Sequence, residues 1–260
     1  MNPCTRVKLD CHSCESTLHS LGQLYGTEPA EIQAFLASID LEGYYSENDL
    51  ALGPDDLIAS LLERHLGHPR NALSSVVWFH LTRVLPHADF GAGILPLDQV
   101  LDGVWATLST IFNGSVRADN LSTLRREGVR NFQYELKVSG GRHLYGPYAM
   151  LVREAAFRSR EMGNHDYLGV PEIVRDICDG YRDRFGDDIE DDVRAALRPC
   201  IVGFVSGRRV GWDCVSAAVH YLYVTVHDLK MSLWSNTCYD GGGLAVHRSA
   251  IEGVDFIERV

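Results

Sequence analysis

Val76-Val77-Trp78-Phe79-His80-Leu81-Thr82-Arg83, followed after seven residues by Gly91-Ala92-Gly93-Ile94-Leu95-Pro96, is the most specific pattern in this chain. Aromatic and β-branched residues dominate its first part, which predicts a strand over Leu73 to Val84. The glycines then predict a bend. His80 and Thr82 are two residues apart, so on a strand both side chains leave from one face. Polar groups on an otherwise apolar strand need partners, in the protein or on a ligand. This strand edge is therefore a candidate ligand site.

After the bend, Val100, Leu101, Val104, Trp105, Leu108 and Ile111 recur at helical spacing and predict a helix over Leu97 to Phe112. Phe132 to Val138 alternates as a half-buried strand does, and Tyr145 to Val152 reads as another strand after the Gly140-Gly141 turn. Pro171-Glu172 opens a helix that runs to Phe185, and the acidic segment from Gly186 to Asp192 starts one that ends near Leu197. Cys200 to Val205 reads as a strand, and Trp212 to Leu233 as helix in its first half. Leu244 to Val246 and Gly253 to Val260 read as strands separated by a turn.

Before the opening strand, Glu15 to Tyr25, Pro29 to Ala37 and Leu57 to Leu66 carry helical patterns. Thr27 stands where a cap of the second helix belongs, with Glu31 in its first turn. The expected organisation is a helical N-terminal subdomain over 1–70 and an α+β domain over 71–260. The N-terminal helices offer a docking surface for a protein partner.

The chain has 260 residues, of which 45% are hydrophobic, enough for a sizeable core. Lys plus Arg number 24 against 35 Asp plus Glu, a net charge of −11 that disfavours bulk binding to a polyanion. No apolar run reaches the length of a membrane span and no signal peptide opens the chain, so the expected location is cytoplasmic, away from membranes. The seven cysteines form no secreted disulfide pattern. Cys4, Cys11 and Cys14 beside His12 lack the second ligand pair of a zinc site, and read as reduced thiols in a frayed N-terminus with no metal. His220 and His227, two helical turns apart, read as a stripe on one helix face. Asn164-His165-Asp166-Tyr167 reads as a loop before a helix.

The strand with its His80-x-Thr82 pair and the Gly93-Ile94-Leu95-Pro96 bend resembles the opening motif of the ADP-ribosyltransferase-like fold, which includes the RNA 2′-phosphotransferases. Leu144-Tyr145-Gly146-Pro147-Tyr148-Ala149-Met150-Leu151-Val152 resembles the strand that carries the family's tyrosine. The ending from Leu244 to Glu258 is similar to the family's closing pair of strands. The resemblance implies an α+β fold with a split antiparallel sheet, elaborated by helical insertions. It implies NAD as substrate, with His80 hydrogen-bonding the adenosine ribose and Thr82 supporting it. Tyr148 would stack on nicotinamide, with Tyr145 at the entrance and Arg83 available to pair with phosphate.

Arg142 and Arg153 are further phosphate candidates, because a guanidinium presents a fork to two oxygens. The chain departs from the family where a catalytic Glu is usual: Asp240-Gly241-Gly242-Gly243 stands there. Asp240 is then the carboxylate that would stabilise the oxocarbenium character developing as nicotinamide leaves. Alternatively, the three glycines would bring backbone amides to a phosphate. The implied activity is transfer of ADP-ribose to a macromolecular or small acceptor, protein or RNA, of toxin or defence-effector type. Two other readings accompany it: a protein-interaction module on a degenerate transferase fold, and an RNA 2′-phosphotransferase working through arginines.

Overall fold

A computed structural model describes residues 5–47 and 52–258; Cys4 and the side chain of Arg142 lie outside the described residues. In chain order the elements are β1 (Arg6–Leu9), α1 (Cys14–Tyr25), α2 (Pro29–Ala37), α3 (Leu41–Glu47), α4 (Pro54–Leu66), β2 (Ala72–Val84), α5 (Leu97–Ile111), α6 (Val116–Glu127) and α7 (Phe132–Ser139). They continue as β3 (Tyr148–Met150), α8 (Ser159–Met162), α9 (Glu172–Phe185), α10 (Glu190–Ala196), β4 (Arg198–Ser206), α11 (Trp212–Val226), β5 (Cys238–Asp240) and β6 (Ile251–Phe256). The fold is α+β. One sheet has the strand order β5-β3-β2-β4-β6, and β1 joins β2 off that path. β1 runs parallel to β2, and β3 antiparallel to it.

The chain forms two compact units, the first made of Met1–Phe79, Ala149–Asn164 and Phe204–Tyr239, the second of His80–Tyr148, His165–Gly203 and Asp240–Val260. In the first, α11 is the organising element. Every residue from Cys214 to Val224 is buried, so this helix is buried on all sides and has to be wrapped by others. α1, α2 and α4 supply that wrapping. The helix ends where Asp228 takes a left-handed φ of 52° and the Leu229 amide turns back 2.8 Å from the Val224 carbonyl. In the second unit α5, α6 and α9 enclose Trp105, Leu108, Leu121, Leu124, Ile177 and Tyr181.

Several local expectations are corrected. Phe132 to Val138 is helix α7, because the Asn131 side chain accepts the Tyr134 amide at 3.0 Å and caps a helix start. Its alternating pattern served a helix equally well: Tyr134 packs on the core while Phe132 is 73% exposed. The strand expected over Tyr145 to Val152 shrinks to Tyr148–Met150. Gly146 has a positive φ of 63°, Pro147 carries no N–H for the ladder, and the Leu151 and Val152 amides turn to the Asn236 side chain. Leu244 to Val246 forms no strand, only an isolated bridge from Val246 to Ile94. The cap of α2 is Glu28, with no side-chain capping bond, and the Thr27 hydroxyl donates to the Glu31 carboxylate instead. Cys11 is not in a frayed terminus: it is fully buried, and burial pushes its thiol far above the ordinary range. β1, α3 and α6 had no counterpart in the sequence reading.

Candidate functional site

Gly93 makes the bend after β2 possible. Its φ is +85°, and a Cβ built there would stand 2.1 Å from the Val246 carbonyl oxygen. Only glycine allows that approach. It lets the neighbouring Ile94 exchange both backbone hydrogen bonds with Val246, at 2.9 and 2.8 Å. At the far side of the bend Tyr145 acts as a brace. Its carbonyl accepts the Leu97 amide at 2.9 Å and its hydroxyl donates to the Val138 carbonyl at 3.2 Å, so it ties the start of α5 to the end of α7.

His80 is half-buried on β2, and its Nδ1 lies 2.7 Å from the main-chain carbonyl oxygen of Tyr148. A carbonyl only accepts, so Nδ1 carries the proton and donates it. Burial pushes the imidazole below the ordinary histidine range, with the Tyr148 carbonyl opposing that shift. The ring is therefore neutral near pH 7, and its Nε2 presents a lone pair as an acceptor. Thr82, two residues along the same face, is half-buried.

Tyr148 opens β3 with its residue surface 46% exposed. Asp240, the last residue of β5, is exposed, and its Oδ1 accepts the Gly242 amide at 2.8 Å. The glycines that follow fasten this turn to the approach of Tyr148. Gly241 N–H donates to the Pro147 carbonyl at 3.0 Å and Gly243 N–H to the Gly146 carbonyl at 2.8 Å. All three glycine amides are thus engaged within the protein, contrary to a phosphate cradle. The Tyr148 phenol is pushed above its ordinary range, first by burial and then by the carboxylates of Asp240 and Glu172.

Glu172 was read in the sequence only as a helix opener. Its Oε1 accepts the Tyr167 hydroxyl at 3.0 Å and its Oε2 lies 3.2 Å from Lys137 Nζ. Burial works against its ionisation, but Lys137, the Tyr167 hydroxyl and His165 outweigh burial and hold it below the ordinary carboxylate range. Lys137 also reaches Asp176 at 2.7 Å, where burial prevails and the carboxyl is raised. The sequence signal for this cluster was hidden because Lys137 lay in a segment read as a strand.

Arg83 has a different occupation from the phosphate contact expected of it. One residue beyond Thr82, it leaves β2 from the opposite face and donates to the carbonyls of Leu168, Arg194 (2.7 Å) and Leu197 (2.8 Å). Its Nε is buried with no hydrogen-bond partner among the described residues. Arg153 lies over the Phe157 ring, 5.6 Å from its centroid.

The structure thus joins the His80 ring to the Tyr148 main chain and fastens the Asp240 turn to the residues just before Tyr148, with the carboxylates of Asp240 and Glu172 bearing on the Tyr148 phenol, while Tyr145 and Arg83 brace the surrounding backbone. Two surface depressions of about 690 and 580 Å³ are lined around Phe112, Arg117 and Asp192 and around Arg83, Arg194, Arg198 and Glu258; His80, Tyr148, Asp240 and Glu172 line neither. Among the described residues no group of three or more side chains is arranged to hold a metal ion, and no helix is long and apolar enough to cross a membrane. Comparison of the chain with known protein families, with curated proteins and with solved structures finds no match.

Proposed function

We propose that this chain binds NAD along the edge formed by His80 and Tyr148 and transfers ADP-ribose to a macromolecular acceptor, in the manner of ADP-ribosyltransferase-like enzymes. One observation carries the reading. His80 Nδ1 donates to the Tyr148 carbonyl at 2.7 Å, and the turn that follows Asp240 is hydrogen-bonded to Pro147 and Gly146, the two residues before Tyr148, at 3.0 and 2.8 Å.

The chemistry suits these groups. The neutral imidazole offers Nε2 to a ribose hydroxyl, and the exposed phenol ring offers a face for an aromatic base. In the reaction the bond from ribose C1′ to nicotinamide nitrogen breaks, and the nitrogen keeps the electron pair. An acceptor nucleophile then bonds to C1′ and loses its proton to solvent or to a carboxylate. Asp240 supplies negative charge against the cationic sugar, and Glu172 is a second carboxylate bearing on the same tyrosine. The phosphotransferase reading has less support, because Arg83 is occupied by carbonyls.

The test is incubation with NAD and measurement of released nicotinamide, beside a calorimetric titration. Saturable NAD binding and slow turnover are expected, with His80→Ala weakening binding and Asp240→Asn lowering turnover on the order of 100-fold at similar affinity. A folded protein that gives neither heat at millimolar NAD nor nicotinamide overturns the proposal.

A further inference from the structure

The start of α4 gathers two exposed tryptophans and three aspartates, all within the first unit. Trp212 Nε1 donates to Asp56 Oδ1 at 3.1 Å. A Cβ built on Gly53 would lie 2.9 Å from Trp234 Cζ3 and 2.7 Å from Asp55 Oδ1, so the second indole and that carboxylate converge on one point of the backbone. Ser216, one helical turn beyond Trp212 on α11, donates to Asp55 Oδ2 at 3.4 Å, and Asp213 accepts the Thr237 hydroxyl at 3.3 Å. Trp212 and Trp234 are 39% and 49% exposed, and Leu52, which precedes Gly53, and Leu233, which precedes Trp234, are 48% and 62% exposed.

Two features of this patch bear on what covers it. Exposed tryptophan and leucine side chains in one place make an apolar surface of the kind that marks an interaction site. The aspartates among them receive only neutral donors: among the described residues no ion pair engages Asp55, Asp56 or Asp213. Among the described residues, Asp55 Oδ1 is buried with no hydrogen-bond partner. Unneutralised carboxylates beside indole faces are complementary to one kind of side chain: an aliphatic stem that lies on the ring and ends in a cation. The acidic surface repels nucleic acid and anionic lipid.

We infer that the Trp212–Trp234 patch at the start of α4 docks a lysine- or arginine-bearing segment of a protein partner. The indoles hold the stems and the aspartates the charges. Trp234 is well placed for this, since the next residue, Ser235, is buried and hydrogen-bonded to His220 at 3.0 Å, which fixes the short helical turn that carries the indole.

The test follows the indole N–H resonances of the chain's four tryptophans by NMR, of which Trp78 and Trp105 are buried and serve as internal references. The probes are the blocked peptides Lys-Leu-Lys-Leu-Lys and Glu-Leu-Glu-Leu-Glu. The basic peptide is expected to shift Trp212 and Trp234 alone, with the shift abolished near 1 M salt, where screening is strong. The exposed charge reversal Asp213→Lys and the variant Trp234→Ser should each weaken binding about threefold to tenfold. Equal shifts with the acidic peptide, no shift at millimolar peptide, or shifts that track protein concentration without peptide would each overturn the inference. The last of these would assign the patch to a second copy of the chain.

Discussion

Arg83 shows how much backbone a single side chain can hold. One guanidinium serves carbonyls from the loop before α9, from α10 and from Leu197, the residue that follows α10. A lysine at this position keeps the charge but loses the planar fork, so its single nitrogen cannot stand in for the two guanidinium nitrogens that reach the Leu168 carbonyl on one side and the Arg194 and Leu197 carbonyls on the other. Arg83→Lys is expected to lower stability by about 2 kcal/mol, read as a lower urea midpoint at unchanged slope. Little in its sequence neighbourhood separated this role from phosphate binding. Arginine beside a ligand-facing pair looks the same in both cases, and the alternation of the strand, which turns Arg83 to the other face from His80 and Thr82, was the one clue available.

At the scale of elements, the passage from β2 through the glycine bend into α5 was legible because each step has a local cause. β-branched and aromatic residues favour the strand, glycine permits the bend, and the apolar stripe from Val100 to Ile111 gives the helix one face to bury. Gly93 is the exacting position: Gly93→Ala adds a Cβ 2.1 Å from the Val246 oxygen at a φ of +85°. It should cost about 2–4 kcal/mol in thermal or chemical denaturation. Gly91→Ala, where the nearest atom is the Asp89 carboxylate oxygen at 3.1 Å and the backbone is not left-handed, should cost less than about 1 kcal/mol. A similar loss at both positions would deny the bend its role. Phe132 to Val138 went the other way. Seven residues of alternating polarity fit either period, and the decision fell to the Asn131 cap and to the packing of Tyr134.

For the whole molecule, buried histidine couples stability to pH. His220 is 4% exposed on α11, and burial brings its imidazole down from 6.5 to about 4. Between those values the unfolded chain binds a proton that the folded chain refuses, so stability falls as pH is lowered from 6.5 and this contribution levels off below about 4. The full loss is about 3 kcal/mol. His220→Gln, which can still hydrogen-bond Ser235, should flatten the acid limb of stability against pH relative to the native chain. Parallel curves for the two proteins would remove His220 as the cause.

The amino-acid sequence by itself determined the strand that carries His80 and Thr82, the bend after it, and most of the helices, because strand propensity, glycine conformation and helical periodicity act within a few residues. Tertiary structure alone decided that α11 becomes the centre of the first unit, that Arg83 clamps carbonyls, and that the carboxylates of Glu172 and Asp240 both bear on the Tyr148 phenol. Those outcomes depend on groups far apart in the chain, where a side chain's partner is whatever the packed backbone presents to it, and no local pattern encodes that.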